Sequence, residues 1–490
     1  MKNLLFFILC ISFFPTTLFA QAPDTLWTKS FGGSSVDDWG QSVQETTDGG
    51  YIITGTTARI DPVPPHDSNV WLIKTDMNGD TLWTKSFGGS NDDRGYSVKR
   101  TSDGGYIITG YTCSFGADSG NVWLVKTNAN GDTLWTRTYR GNNHGIGYSV
   151  AQTSDDGYII TGRIWHVAAN HVDLWLIKTD SFGDTLWTRI FGSIGYDEGR
   201  AVQQTSDGGY IATGVTNYNS GFGDIWLIKT DSYGDTLWTK RFDGSGDDWS
   251  YSVQQTTDGG YIVCGYTRAY GVTYSDVWLI KTDSSGDTLW TKTFGRGVGY
   301  CVQQTSDEGY IISGSWPGHS IIRTDAAGDS LWTKSFWTHY NEHCYFVQQS
   351  SDGGYIITGA IYSSATFFDL RLIKVAPEPT AIGETPLSLI DDYLLRQNYP
   401  NPFNPATTIK YELPVGGKAE LTIFNLLGQE IRTLVNAQQP AGAHQVQWDG
   451  RDESGKEVTS GIYFYQLKAG DPSTGSGQSF TETKKMVLLK

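Results

Sequence analysis

The sequence predicts an all-β protein: a seven-bladed β-propeller of four-stranded blades closed by its own N-terminal strand, followed by a small β-sandwich. Three observations predict it. The segment Asp-Thr-Leu-Trp, or Asp-Ser-Leu-Trp, occurs seven times, ending at Trp27, Trp83, Trp135, Trp187, Trp238, Trp290 and Trp332. Gly-Tyr-Ile also occurs seven times, with Tyr51, Tyr106, Tyr158, Tyr210, Tyr261, Tyr310 and Tyr355. The period is mostly 51 to 56 residues, falling to 42 at the sixth repeat, a length that holds one propeller blade.

Ahead of the repeats, Met1-Lys2-Asn3 is followed by an apolar run from Leu4 to Phe14 and small residues near Ala20-Gln21. This layout predicts a signal peptide over residues 1–20. Cleavage after Ala20 is expected, whereas cleavage after Ala22 suits Ala-x-Ala better but leaves Pro23 at the new terminus. Cys10 has no small residues before it, unlike a lipoprotein signal. No later segment approaches the ~18 continuous apolar residues of a membrane-spanning helix.

Residues 21–375 form the predicted propeller. In the fifth repeat the expected strands cover residues 251–256, 261–267, 277–282 and 287–294, rich in Val, Ile, Thr, Tyr and Trp and separated by Gly/Asp/Asn clusters. Thr-Ser-Asp-Gly-Gly or a variant joins the first and second strands. Its last glycine (Gly50, Gly105, Gly157, Gly209, Gly260, Gly309, Gly354) is present in all seven copies, while the one before it becomes Asp156 and Glu308 in two. The last position is therefore expected to need a positive φ. Asp-x-x-Gly-Asp joins the third and fourth strands, with Gly183 or Gly286 left-handed and the leading Asp forming an Asx-turn. The chain opens on a fourth strand at residues 24–31 and ends its seventh repeat on a third strand at residues 369–375, so the N-terminal strand should complete the last blade. The fourth-strand tryptophans should fill the space between blades.

The hairpin Val-Trp-Leu-Ile-Lys-Thr-Asp-x-x-Gly-Asp-Thr-Leu-Trp resembles the repeat of quinoprotein-like propellers over about half of each blade. The resemblance implies the architecture and not a quinone.

Residues 376–396, beginning Ala-Pro-Glu-Pro-Thr, read as a linker. Beyond it, strands are expected at residues 407–413, 419–424, 445–448, 461–467 and 483–489, enough for a small sandwich. Asn398-Tyr399-Pro400-Asn401-Pro402-Phe403-Asn404-Pro405, Phe424-Asn425-Leu426-Leu427-Gly428-Gln429-Glu430, Trp448-Asp449-Gly450, Gly461-Ile462-Tyr463-Phe464-Tyr465 and the terminal Lys484, Lys485, Met486, Val487, Leu488, Leu489 and Lys490 resemble the type A sorting domain of the type IX secretion system. The middle part is similar to the immunoglobulin-like domain of flagellar hook-capping proteins. The resemblance covers residues 397–490 and implies an immunoglobulin-like fold. It also implies type IX machinery as a partner, export across the outer membrane, removal of the domain, and surface attachment or release. The stretch from Gly470 to Ser479 departs from the pattern as an insertion.

The net charge is −16, carried by the repeats, since residues 397–490 balance nine Lys/Arg against nine Asp/Glu. An acidic surface repels phosphate backbones and excludes nucleic acid as the expected partner. Cys113, Cys264, Cys301 and Cys344 show no metal-ligand spacing; Cys301 and Cys344 could pair as a disulfide or stay free.

Alternating strand direction sorts the loops onto two faces. The short uniform turns share one face; the 2–3 loops and 4–1 connections, which vary, share the other, where binding is expected. His66, His144, His166, His171, His319, His339 and His343 fall there, with Trp165, Trp316, Phe222 and Tyr274. Acidic pairs recur beside them: Asp37-Asp38, Asp92-Asp93, Asp197-Glu198 and Asp247-Asp248. Such pairs could flank a glycosidic bond or bind calcium, or could be solvated turn-formers. No resident cofactor is expected, and the Asp-x-x-Gly-Asp turns lack the distal Glu of a calcium loop. No nucleophile elbow, His-Glu-x-x-His or phosphate loop is present. Two readings follow: a monomeric surface module binding a polysaccharide or surface protein, or an extracellular carbohydrate-active hydrolase using acidic residues of the variable face.

Overall fold

In a computed structural model every element of the described residues is a β-strand. Described are residues 22–32, 37–58, 68–116, 120–140, 144–166, 170–192, 194–217, 222–244, 246–269, 274–316, 319–336, 343–362, 367–378, 393–395, 398, 401, 403–413, 417–439, 442–470 and 480–489. The expected signal peptide, most of the expected linker, the insertion after Gly470, His66, His339 and Lys490 lie outside them.

The chain divides into two compact units, residues 1–379 and 380–490. The first holds seven four-stranded antiparallel sheets, one per repeat. Six are built from four consecutive strands, as in Asp38–Glu45, Tyr51–Ala58, Ser68–Thr75 and Thr81–Phe87. The seventh combines His343–Gln349, Tyr355–Tyr362 and Phe368–Val375 with the N-terminal strand Thr25–Phe31. Thr25 pairs with Val375 and Phe31 with Leu370, and Ala376 N–H donates to the Asp24 carbonyl at 2.8 Å. The ring closes as the repeat phase predicts.

Six of the seven seams between blades share one set of contacts; at the seam of Trp332, where the last blade has no 3–4 turn, Lys334 Nζ donates instead to the Pro23 carbonyl at 2.6 Å. Trp27 stands edge-on to Tyr51 of the next blade at 5.9 Å, and Trp135–Tyr158, Trp187–Tyr210, Trp238–Tyr261, Trp290–Tyr310 and Trp332–Tyr355 repeat the arrangement at 5.7–5.9 Å. The tryptophan covers the glycine of the neighbour's 3–4 turn: a Cβ on Gly79 would lie 2.7 Å from the Trp27 ring. Two residues on, a cation reaches the closing Asp of the same turn, as in Lys29–Asp80 at 2.7 Å and Lys240–Asp287 at 2.6 Å. The leading Asp accepts from its own turn, Asp76 Oδ1 taking the Asn78 and Asp80 N–H groups at 2.9 and 2.8 Å. These carboxylates are spent on the turn and the seam.

The 1–2 turn corrects one expectation. Positive φ belongs to the first glycine position, Gly49, Gly104, Gly208, Gly259 and Gly353, and to Asp156 (61°) and Glu308 (70°) where glycine is replaced. The invariant second glycine is needed for space. A Cβ on Gly105 would strike the Thr127 carbonyl and come 2.7 Å from Lys126 Nζ. That lysine is buried and paired with Asp103 of the turn at 2.8 Å. The same pair recurs as Lys74–Asp48, Lys178–Asp155, Lys229–Asp207, Lys281–Asp258, Arg323–Asp307 and Lys374–Asp352. Burial alone would raise these carboxyls, but the turn threonine and the buried ammonium hold Asp48, Asp103 and Asp207 at about 2.

Among the described residues Cys113, Cys264, Cys301 and Cys344 form no disulfide, so the Cys301–Cys344 alternative is not realised. Burial pushes the Cys301 thiol up to about 11.

The second unit packs the sheets of Thr407–Leu413 with Gly442–Trp448, and of Gly417–Asn425, Glu430–Gln439, Gly461–Gly470 and Phe480–Leu488, around Trp448, Tyr411, Tyr465 and Phe403. Strand Glu430–Gln439 was not expected from the sequence; it is an edge strand with half-exposed side chains and no clean alternation. Leu394–Leu395, inside the expected linker, pairs with Tyr411 and Glu412.

Candidate functional site: the channel mouth and the variable face

The first strand of every blade lines the axis, and the residue left unpaired at a β-bulge in each projects into a ring of side chains: Gln41, Tyr96, Tyr148, Arg200, Tyr251, Tyr300 and Tyr345. The rings touch in sequence, Tyr96–Tyr148 at 5.2 Å, Tyr251–Tyr300 at 5.2 Å and Tyr300–Tyr345 at 5.1 Å. Arg200 fills the gap, its guanidinium 4.2 Å from the Tyr148 ring centre and 5.3 Å from that of Tyr251. Buried Glu198 pairs with Arg200 and accepts from Tyr196 at 2.6 Å and Arg163 at 3.0 Å. Burial pushes the five ring phenols up, so each remains a hydroxyl donor.

Below this girdle lies a central cavity of about 560 Å³. Lys99 reaches into it, its ammonium 5.5 Å from the Phe346 ring, and burial lowers its pKa. The far end is a hydrogen-bonded rim in which the terminal glutamine of five blades accepts from the preceding blade's turn. Gln152 takes Ser102 N–H, Gln204 takes Ser154 N–H and Gln255 takes Ser206 N–H, each at 2.8 Å. In the first blade Glu45 takes Ser351 N–H at 2.7 Å, and in the second Arg100 Nη1–H donates instead to the Glu45 carbonyl at 3.2 Å.

Toward the variable face the girdle widens into a second cavity of about 560 Å³, lined by Asp37, Trp39, Arg94, Tyr96, Tyr345 and Phe367 among others. Trp39 lies 4.4 Å from Phe368 and 6.2 Å from Tyr345. Asp37 accepts from Phe368 N–H at 2.9 Å. Arg94 is fixed by Asp92 at 3.1 Å. Burial would raise the Asp92 carboxyl, but the Tyr111 hydroxyl and Arg94 hold it down.

Of the binding residues proposed from sequence, only Asp37 borders one of these two cavities. Asp38, Asp93 and Asp248 are buried inside or at the start of first strands, which run further toward the variable face than expected, so they are not solvated turn-formers. Their work is local: Asp93 Oδ2 accepts Gly89 N–H at 2.8 Å and Ser114 Oγ–H at 2.6 Å, and Asp248 Oδ2 accepts Gly244 N–H at 2.6 Å. Asp247 pairs with Arg268 and accepts Gly223 N–H at 3.2 Å. Asp224, Asp243 and Asp248 bring carboxylate oxygens within 4.8 Å of one another, though Asp224 also pairs with Arg241. Trp165 is 40% exposed, Phe222 and Tyr274 are exposed at other blade edges, and the Arg296 guanidinium lies 3.8 Å from the Tyr274 ring centre. Trp316 and His319 pair across their hairpin; their side chains lie outside the description. His343 is half-buried and stacks on Tyr345 at 5.4 Å, its pKa lowered by desolvation. His166 and His171 converge on Asp173.

The girdle was missed because its position reads as ordinary strand alternation in any one repeat. Superposing the repeats on Ser-Val-Gln-Gln would have shown five tyrosines in one column.

In the second unit the terminal motif forms the last strand. Met486 and Leu488 enter the core, whereas Lys485 and Leu489 face out. Asn401 Oδ1 accepts Val487 N–H at 2.9 Å, and Phe403 exchanges backbone bonds with Val487 and Leu489 while packing 5.6 Å from Trp448. Thus the two end motifs of the unit fold against each other. Residues 406–473 match the FlgD Ig-like domain family. The match covers a minor part of the chain, and no curated protein matches the sequence.

Among solved structures, the chain is similar to PorZ, an essential bacterial surface component of the type IX secretion system of Porphyromonas gingivalis. The identity is 12%, over 90% of this chain and 58% of that one, with a TM-score of 0.41. Sqt1 of Chaetomium thermophilum is similar at 11% identity over 73% and 99% of the two chains, TM-score 0.46. The Pan2 WD40 domain of Neurospora crassa is similar at 11% over 72% and 98%, TM-score 0.44. The chain spans just over half the length of the PorZ chain.

Proposed function

We propose that this is an extracellular binding module whose propeller captures a carbohydrate chain at the variable-face mouth of its axis. The C-terminal unit directs its export by a type IX secretion system. The observation that carries the binding reading is the aromatic mouth. Trp39, Tyr96 and Tyr345 offer ring faces on which sugar rings stack, and Asp37, Arg94 and protonated phenols offer polar partners for hydroxyls beside them. Concave, partly aromatic sites with a few placed polar groups are the usual form of a small-ligand site. The export reading is supported by the five motifs of residues 397–490 and by the match of residues 406–473 to the FlgD Ig-like domain. On this reading the signal peptide and the sorting unit are removed, and the propeller is left released or attached at the cell surface.

Calorimetry against a panel of soluble polysaccharides tests the binding. One class should bind, and Trp39→Ala with Tyr345→Ala should weaken it by ~2 kcal/mol or more, the scale of an aromatic anchor. Undiminished binding by the double variant would overturn the site. Release of reducing ends from the same panel would replace the binding module by the hydrolase. For export, a host strain expressing the chain without residues 397–490 should hold the propeller in the periplasm. Surface display of that truncated chain would overturn the sorting role.

A further inference from the structure

The tip of the third blade carries a cluster independent of the channel mouth. Strands Tyr158–His166 and His171–Thr179 form a hairpin in which His166 faces His171 directly across the ladder. Directly paired residues project to the same face of a sheet, and so do residues two apart on one strand. His166, His171 and Asp173 therefore share a face by register alone. Their atoms converge: His166 Nε2 lies 3.0 Å and His171 Nε2 3.2 Å from Asp173 Oδ2, and the two imidazoles stack at 4.7 Å.

The geometry points to a divalent transition-metal site, with zinc the best fit, held by His166 Nε2, His171 Nε2 and Asp173. Ligands ~2.0–2.1 Å from a tetrahedral zinc lie about 3.3 Å apart, close to the separations present here. The carboxylate also keeps an unsatisfied oxygen. Asp173 is only 6% exposed, and its Oδ1 has no hydrogen-bond partner. A dication between the imidazoles and this carboxylate would give that buried oxygen a partner. Two nitrogen donors select a borderline-soft ion, whereas calcium seeks six to eight oxygens. Three protein ligands leave a coordination position for water, and both histidines are partly exposed, at 30% and 22%, which gives an ion its way in.

The test uses the full chain, expressed without a histidine tag and stripped with EDTA. Titration with zinc chloride should show one saturable site per chain. His166→Ala or His171→Ala should each weaken it ~tenfold or more, and the double variant should abolish it. Calcium chloride at equal concentration should not displace the zinc. Should the variants fail to fold, the wild type still decides. Zinc should protect His166 and His171 from carbethoxylation by diethyl pyrocarbonate, read by peptide mass spectrometry. Absence of saturable binding, wild-type affinity in the double variant, displacement by calcium or unprotected histidines would each overturn the site.

Discussion

Replacing Trp27 by alanine measures whether the N-terminal strand belongs to the ring. Trp27 stands edge-on to Tyr51 across the seam between the last and first blades and covers Gly79. Trp187 does the same for Tyr210 and Gly234 at an interior seam. A tryptophan can bury up to ~250 Å² of surface, so truncating a half-buried indole to alanine removes on the order of 100 Å² of apolar contact. At ~25 cal/mol per Å² that is roughly 2 to 3 kcal/mol. The lost edge-to-face pair adds ~0.5–1 kcal/mol. In a closed ring the two seams are equivalent, so Trp27→Ala and Trp187→Ala should each destabilise by about 3 kcal/mol. Guanidinium titrations followed by far-ultraviolet circular dichroism read this as a lowered midpoint at unchanged slope. A cost near 3 kcal/mol for Trp187→Ala with under ~1 kcal/mol for Trp27→Ala would refute closure, because the N-terminal strand would then be undocked.

Deleting residues 21–31 should lower the melting temperature of the whole propeller, since it exposes the edge of Phe368–Val375; calorimetry reads this directly. Gly105→Ala should cost ~2 kcal/mol or more through its clash with Thr127 and Lys126. Gly104→Ala, strained at φ +83° but with open space for its Cβ, should cost only about 1 kcal/mol. Glu308→Gly should be neutral or stabilising by a few tenths of a kcal/mol, and urea midpoints rank all three. Asp48, Asp103 and Asp207 titrate at about 2 in the fold, below the unfolded carboxyl. Their stabilisation is therefore complete above about pH 4 and is lost as pH falls from 4 toward 2. These carboxylates are half-exposed, so solvent screening holds each contribution to ~1 kcal/mol or less. Urea midpoints of wild type and Lys126→Met between pH 2 and 5 should converge as the pH falls.

The propeller was legible because its constraints repeat. Trp27 and its six counterparts, and the phase that leaves residues 369–375 without a fourth strand, carry blade count and closure in the sequence itself. The glycine turn was misread because invariance alone does not distinguish a backbone angle from a steric limit. Gly105 is invariant for want of room, while Gly104 carries the left-handed φ and tolerates Glu308 at its counterpart. The candidate site was less legible. Asp93 and Asp248 read as loop acids because the strand beginnings, Asp93–Arg100 and Gly246–Gln255, carry glycine and aspartate rather than β-formers. The tyrosine girdle needs seven strands placed about one axis, and Asp173 joins His166 and His171 only through ladder register.

The seam of the last blade also decides how the molecule answers a pull. Thr25 and Val375 sit at the same end of their paired strands, with Phe31 and Leu370 at the other. Tension between handles attached at Asp24 and Ala376 therefore falls on the Ala376–Asp24 hydrogen bond first, then on each rung in turn. Rungs loaded in series open one at a time at low force, whereas rungs loaded in parallel must break together. A propeller tethered through residue 376 and dragged by its N-terminal segment would open like a zipper along Thr25–Phe31. The six blades built from consecutive strands would keep their own sheets until that strand had gone.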